Sequence, residues 1–251
     1  MIFIIKRKLK DMKYIHKFDS ESAFTAFKSS SEYLEPNVAL TEDDNIVHYN
    51  RITNGHEYVD LGLPSGTKWA TTNVGAKSPE EYGLFFQWGD TVGYSGITTD
   101  KKFEWGDYKY SAESKDGSEF SKYSESTDAD MTLDLSDDAA HVNMGGDWHM
   151  PSSTQINELI NNTTHTPETI GTVKGMRYTS KKDTSKSIFV PFAGYCNFGS
   201  HNGVGNFGYC WSSSRNSDVG YGYYLSCHNN AGTWLSSYYR CYGFSVRGVL
   251  G

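Results

Sequence analysis

Apolar positions along this chain fall mostly in short alternating runs between turn residues, and helical spacing is confined to three stretches. The clearest begins at Ser152, which with Gln155 forms a capping box ahead of Ile156, Leu159 and Ile160 on one helical face. Asn161-Asn162-Thr163-Thr164 ends it. Residues 135–142 read as a capped helix start. Residues 18–27 read as a short helix in which Phe24 and Phe27 share a face behind Asp19 or Ser20. Strands are predicted at 58–61 and 68–70, flanking a type I turn with Pro64 at i+1 and Gly66 at i+3. Further strands are predicted at 176–180 and 187–191, and a small hairpin at 38–40 and 46–49. Residues 82–90 are aromatic-rich and half-buried by pattern. Residues 91–127 run polar, with Lys101, Lys102 and Lys115, and read as a long surface excursion. Few helices among many strands predict an α+β protein.

The pattern divides the chain into an N-terminal segment, 1–53, and a main domain, 54–251. A segment so short buries little core alone. It is expected to attach the domain to a particle or to copies of itself, a homotrimer being one such assembly.

Composition agrees with this picture. The 251 residues are 37% hydrophobic, 15% aromatic and 21% charged, with 25 glycines, which is globular and turn-rich rather than disordered. A net charge of −7 excludes a nucleic-acid binder, which needs a basic stripe to neutralise phosphates. No run approaches the roughly 18 apolar residues of a membrane-spanning helix, so no membrane partner is expected. At the start, Ile2, Phe3, Ile4 and Ile5 precede the basic residues, the reverse of an export signal, and no cysteine precedes Cys196 to carry a lipid. Met12 is a second candidate start. Synthesis in the cytoplasm without an export signal is the expectation.

The last stretch, from Tyr195 to Gly251, changes the picture most. It holds all four cysteines, eight of the 18 tyrosines and ten of the 25 glycines, yet no Lys, Glu, Gln or Met. Even mixing would place about nine of those four residue types there. Tyrosine offers contact area with few torsions to freeze, and Ser, Asn and Gly add adaptable hydrogen bonds. This is the composition of a binding surface.

Several separated motifs carry a family resemblance. Tyr58-Val59-Asp60-Leu61-Gly62-Leu63-Pro64-Ser65-Gly66-Thr67-Lys68-Trp69-Ala70, Asn73-Val74-Gly75-Ala76, residues 137–142 and Gly145-Gly146-Asp147-Trp148-His149-Met150-Pro151 come in order. They are followed by Tyr209-Cys210-Trp211-Ser212-Ser213-Ser214 and Gly243-Phe244-Ser245-Val246-Arg247. Together they resemble the Fibrobacter succinogenes major paralogous domain. The N-terminal segment resembles, more briefly, segments of phage structural proteins. The resemblance implies a C-type lectin-like fold, shared with formylglycine-generating enzymes. It also implies kinship with variable proteins of diversity-generating retroelements in gut Bacteroidetes and their phages. Two departures stand out: Ile156 takes the place of a usual bulky residue after Pro151, a core swap, and Gly248 stands where proline is common, which is expected to loosen the C-terminal strand.

Retroelement mutagenesis replaces template adenines, and from an AAC or AAT codon it cannot reach Lys, Glu, Gln, Met or Trp. On that basis a display surface is expected within 209–242. Its positions are Asn216, Asp218, Tyr221, Tyr223, His228, Asn229, Asn230, Ser236, Ser237, Tyr238, Tyr239, Cys241 and Tyr242. Trp211, Trp234, Arg240, Phe244, Val246 and Arg247 are expected to be scaffold. The other reading is an ordinary invariant Tyr/Ser/Asn-rich sheet surface.

Other chemistry is weakly signalled. The cysteines lack a Cys-x-x-Cys pair, so free thiols are favoured over disulfides or a metal site, and Cys227, in phase with Leu225, is expected to face inward. Asp128, Asp130, Asp134, Asp137 and Asp138 fit no calcium loop and read as a solvated acidic face with a helix cap. His141 and His149 read as packed or surface histidines. No nucleophile-elbow, zincin or phosphate-cradling motif occurs, so neither an enzyme nor a cofactor is expected. The expectation is a phage receptor-binding or virion-surface component that contacts a host-surface protein or glycan. The alternatives are a bacterial surface adhesin and, behind it, a formylglycine-generating-type oxidase.

Overall fold

In a computed structural model the described residues are 3–9, 12–18, 51–124, 131–230 and 232–251. The helix expected over 19–27 and the hairpin at 38–49 lie outside them, as do Asp128 and Asp130. The chain divides into two compact units after Val59. In the first, β1 (Phe3–Leu9) and β2 (Met12–Phe18) pair antiparallel, from Phe3 opposite Phe18 to Leu9 opposite Met12. Farther on, β3 (Arg51–Thr53) and β4 (His56–Val59) also pair antiparallel. Asn54 and Gly55, both at positive φ, make the two-residue turn between them, the turn chemistry that matches strand twist.

The second unit is mostly β-structure. Among the described residues it holds two α-helices, α1 (Ala139–Met144) and α2 (Ser153–Asn162). Strands β5 (Lys68–Ala70) and β6 (Phe85–Phe86) come before them. After them β7 (Thr163–Ile170), β8 (Val173–Ser180) and β9 (Ser187–Pro191) form a three-stranded sheet. A short hairpin, β10 (Tyr195–Asn197) and β11 (Ser200–Asn202), leads to β12 (Phe207–Arg215), β13 (Tyr221–His228) and β14 (Gly232–Tyr239). These three form an antiparallel meander within a sheet of order β14-β13-β12-β15-β6, where β15 is Phe244–Ser245. The last strand, β16 (Val249–Leu250), pairs with β5.

Local chemistry accounts for these elements. The Gly66 amide donates to the Leu63 carbonyl at 2.9 Å, closing the turn at Pro64. Both halves of the Ser152–Gln155 capping box are made, and Ile156 and Leu159 are buried. The Asp138 carboxylate caps α1 by accepting from the His141 amide, and also accepts from the Met150 amide. Asp137, too, is buried rather than solvated: Lys109, Lys122 and the Tyr123 hydroxyl donate to it at 2.9, 2.6 and 2.7 Å. His141 and His149 bond the Trp148 and Met150 carbonyls through Nδ1.

The reading of 91–127 as a surface excursion is corrected. Its backbone is irregular, but Phe103, Tyr108, Tyr110, Phe120 and Tyr123 are all buried, and so is Lys101, whose ammonium donates to Gln87 and Asp90. The charged residues between those rings hid them as a core pattern, because a loop has no period to reveal. Residues 85–90 are likewise fully rather than half buried. Gly248 does not loosen its strand: a Cβ there would meet Met144 Sδ at 2.6 Å and Trp148 Cε3 at 3.0 Å, so close packing demands the glycine.

Two reciprocal indole bonds fasten the meander to β6 and the residues just after it. Trp211 Nε1 donates to the Phe86 carbonyl at 2.8 Å, and Trp88 Nε1 to the Ser212 carbonyl at 2.9 Å. Arg247, fully buried, donates from Nε and Nη2 to Asn73 Oδ1 and from Nη1 to the carbonyls of Ala70 and Thr71.

Candidate binding site

The register of β12–β14 decides which tail residues act together. Trp211 lies opposite Tyr224 and Tyr224 opposite Ser236; Tyr209 lies opposite Ser226 and Ser226 opposite Trp234. Side chains alternate along a strand. One side of the meander therefore carries Phe207, Tyr209, Trp211, Tyr224, Ser226, His228, Trp234, Ser236 and Tyr238. The other carries Leu225 and Cys227, both buried, with Thr233 bonded to the Tyr178 hydroxyl at 2.7 Å.

On the first side a cavity of about 280 Å³ opens, lined by Tyr195, Asn197, Tyr209, Tyr224, Tyr238, Tyr242 and Phe244. Tyr195 and Tyr242 stand parallel with centroids 6.1 Å apart, and Tyr209 meets Tyr224 edge-on at 5.0 Å. Phe244, stacked on Trp211 at 4.2 Å, ties these rings to the core. Burial pushes the phenols of Tyr209 and Tyr224 up and that of Tyr242 to about 12, so these rings stay neutral at physiological pH. Beside the cavity, His228 Nε2 shares hydrogen bonds with Tyr209 and Ser226, and burial lowers its pKa.

The expected display residues do not form one surface. His228, Ser236, Tyr238 and Tyr242 lie on or beside the cavity side. Tyr221, Tyr223, Ser237 and Tyr239 project from the opposite side of their strands, where Asn216 Nδ2 donates to Ser237 Oγ at 3.0 Å. Tyr221 and Tyr239 pack at 4.8 Å. Asp218 is exposed in the β12–β13 turn, and Asn229 and Asn230 lie in the β13–β14 turn. Cys241 is corrected: it is fully enclosed and presents nothing to a ligand. Trp234, expected as scaffold, is 37% exposed on the outer strand β14 and packs on His228 at 4.5 Å.

Sequence reasoning missed Tyr195, Asn197, Tyr209 and Tyr224 as cavity residues. The alternation of β13 and β14 signalled Tyr224, but Tyr195 and Asn197 come from a separate hairpin, which no local pattern connects to the meander.

All four cysteines are unbridged and buried. Burial raises each thiol, to about 12 for Cys196 and Cys227 and about 11 for Cys210. Among the described residues no cluster of three His, Cys, Asp or Glu side chains could hold a metal, and no helix is long and apolar enough to cross a membrane. With this geometry in hand, comparison adds no relative: no protein-family model, curated protein sequence or solved structure matches the chain.

Proposed function

We propose that this chain is a ligand-binding display protein whose aromatic C-terminal surface contacts a partner, on a C-type lectin-like domain of the Fibrobacter succinogenes major paralogous kind. The observation that carries the reading is the ring of five tyrosines around an open cavity on one side of β12–β14. Arg215, Arg240 and Arg247, the only cations of the region, are buried. Rigid aromatic contact area with little charge suits a site that binds by packing and a few hydrogen bonds. On this reading the protein is a phage receptor-binding or virion-surface component, its target is a host-surface protein or glycan, and residues 1–53 attach it to the particle or to its own copies. A bacterial surface adhesin with an invariant face is the second reading, supported by the same surface. Oxidase chemistry at a cysteine has less support, because it needs a depressed thiol pKa and every thiol here is raised by burial.

The test compares retention of the purified full chain on intact gut bacterial cells and on glycan arrays. Tyr238→Ala and Tyr242→Ala should each weaken binding by roughly 1–3 kcal/mol where they act as anchors. Binding indifferent to both, with folding intact, would sink the reading. Diversification has its own test in the flanking DNA: a near copy of the segment encoding 209–247 beside a reverse transcriptase, differing only at template adenines, is expected. Differences spread over all four bases would leave an invariant surface.

A further inference from the structure

Resting on the reading of the tyrosine cavity as a contact site, we infer that its occupant is a cationic side chain, arginine or lysine, presented by a protein partner. The cavity, at about 280 Å³, is slightly smaller than the roughly 300–1,000 Å³ typical of small-molecule sites and has room for one side chain rather than a saccharide chain. Its lining is five tyrosines, one phenylalanine and one asparagine, so no fixed charge in it repels or neutralises a cation, and aromatic rings attract cations. Beyond the tyrosine hydroxyls, the lining offers a sugar a single amide to hydrogen-bond. The lone amide, Asn197, is already engaged: its Oδ1 accepts from Asn202 Nδ2 at 2.8 Å, and the same side chain bonds the Tyr242 hydroxyl.

The chain itself uses this chemistry. Arg240 lies in an aromatic cage, its guanidinium 4.0 Å from the Phe120 centroid, 5.3 Å from Trp88 and 5.4 Å from Tyr108. The tyrosine cavity, open at its mouth, is lined by aromatic side chains of the same chemistry.

A second feature marks the cavity edge. Phe198 tips the β10–β11 hairpin at φ 44°, a left-handed conformation that costs a bulky residue energy, and is 55% exposed. Its ring meets Tyr242 edge-on at 5.7 Å. Strain held at an exposed aromatic beside a cavity fits a lip that covers the aliphatic stem of an entering side chain.

The experiment titrates N-acetyl-arginine amide into the full chain and follows the tyrosine ring signals by NMR, with N-acetyl-citrulline amide as the uncharged isostere. The arginine compound should shift the Tyr238 and Tyr242 rings saturably and bind at least about tenfold more tightly than citrulline. Tyr238→Ala should abolish most of the effect, whereas Tyr238→Phe, which keeps the ring, should retain binding within about threefold. Equal binding of the two compounds, no shift with arginine, or preference for methyl α-mannoside or N-acetylglucosamine would each overturn the inference. Loss of cell binding in Tyr238→Ala without any response to arginine would remove the cation and leave the contact site. Cell binding untouched by Tyr238→Ala and Tyr242→Ala would remove the contact site itself.

Discussion

The Arg240 guanidinium lies 4.0 Å from the ring centre of Phe120, a residue 120 positions earlier in an irregular loop, where it makes an isolated antiparallel bridge with Ser111. Arg240 also donates from Nη1 to the Tyr123 carbonyl at 3.1 Å, and burial lowers its pKa. The contact joins the long loop to the end of the meander. Phe120→Ala should therefore cost about 3 kcal/mol in urea unfolding, as a core truncation does. Arg240→Lys keeps the charge but loses the planar fork, and should cost about 1–2 kcal/mol. An unchanged midpoint for Phe120→Ala would mean that the loop is not part of the core.

Asp137 sets the acid limit. Burial alone would raise its pKa, but hydrogen bonds from Lys122, Tyr110, Lys109 and Tyr123 outweigh it and hold the carboxyl well below the usual range. A depressed carboxyl contributes stability that is complete above its unfolded pKa of about 3.9 and is lost as pH falls through the lower folded value. Unfolding monitored from pH 6 to pH 2 should show stability falling below about pH 4. Asp137→Asn should remove much of that slope. Because Lys109 and Lys122 are 39% and 38% exposed, its cost at neutral pH should be nearer 2 kcal/mol than the 3–5 of a fully buried pair.

The thiols make a third test. With all four cysteines buried and unbridged, a thiol reagent should find almost none in the native chain and four after denaturation, without reductant. Two or none after denaturation would mean disulfides.

Gly248 tests the packing at the C-terminus. Gly248→Ala should destabilise by about 1–3 kcal/mol, since its Cβ would overlap Met144 and Trp148. Proline there should do more harm, not less. A variant as stable as the parent would show that Met144 swings aside.

Much of this fold was legible. The Ser152–Gln155 box, the turn at Pro64 and the strands at 176–180 and 187–191 announce themselves because each is specified within a few residues. Other elements stayed hidden for identifiable reasons. Strand β7 is polar and contains Pro167, so it lacks strand alternation, yet it pairs along its whole length with β8. The hairpin at Asn54-Gly55 carries a strong turn signal, but it falls where the composition changes between the N-terminal segment and the main domain and so resembles a boundary. The loop aromatics Phe103, Tyr108, Tyr110, Phe120 and Tyr123 occupy positions fixed by distant residues such as Trp88 and Arg240. The site was half legible for the same reason: composition located the tyrosines, but the pairing of β13 with β14 decides which of them stand together.

That pairing has a further consequence. Ser236 and Tyr238 reach the cavity side, and Leu235 and Ser237 the other, only through their odd-even places in β14. Deleting or inserting one residue between Gly232 and Tyr238 would exchange the two sets, turning the Ser236 and Tyr238 hydroxyls away from the cavity side and bringing an aliphatic chain to it. On the proposed diversification, substitutions along β14 keep the two faces apart and single-residue changes of length do not, so natural variants should share one spacing from Gly232 to Tyr238 however widely their exposed residues differ.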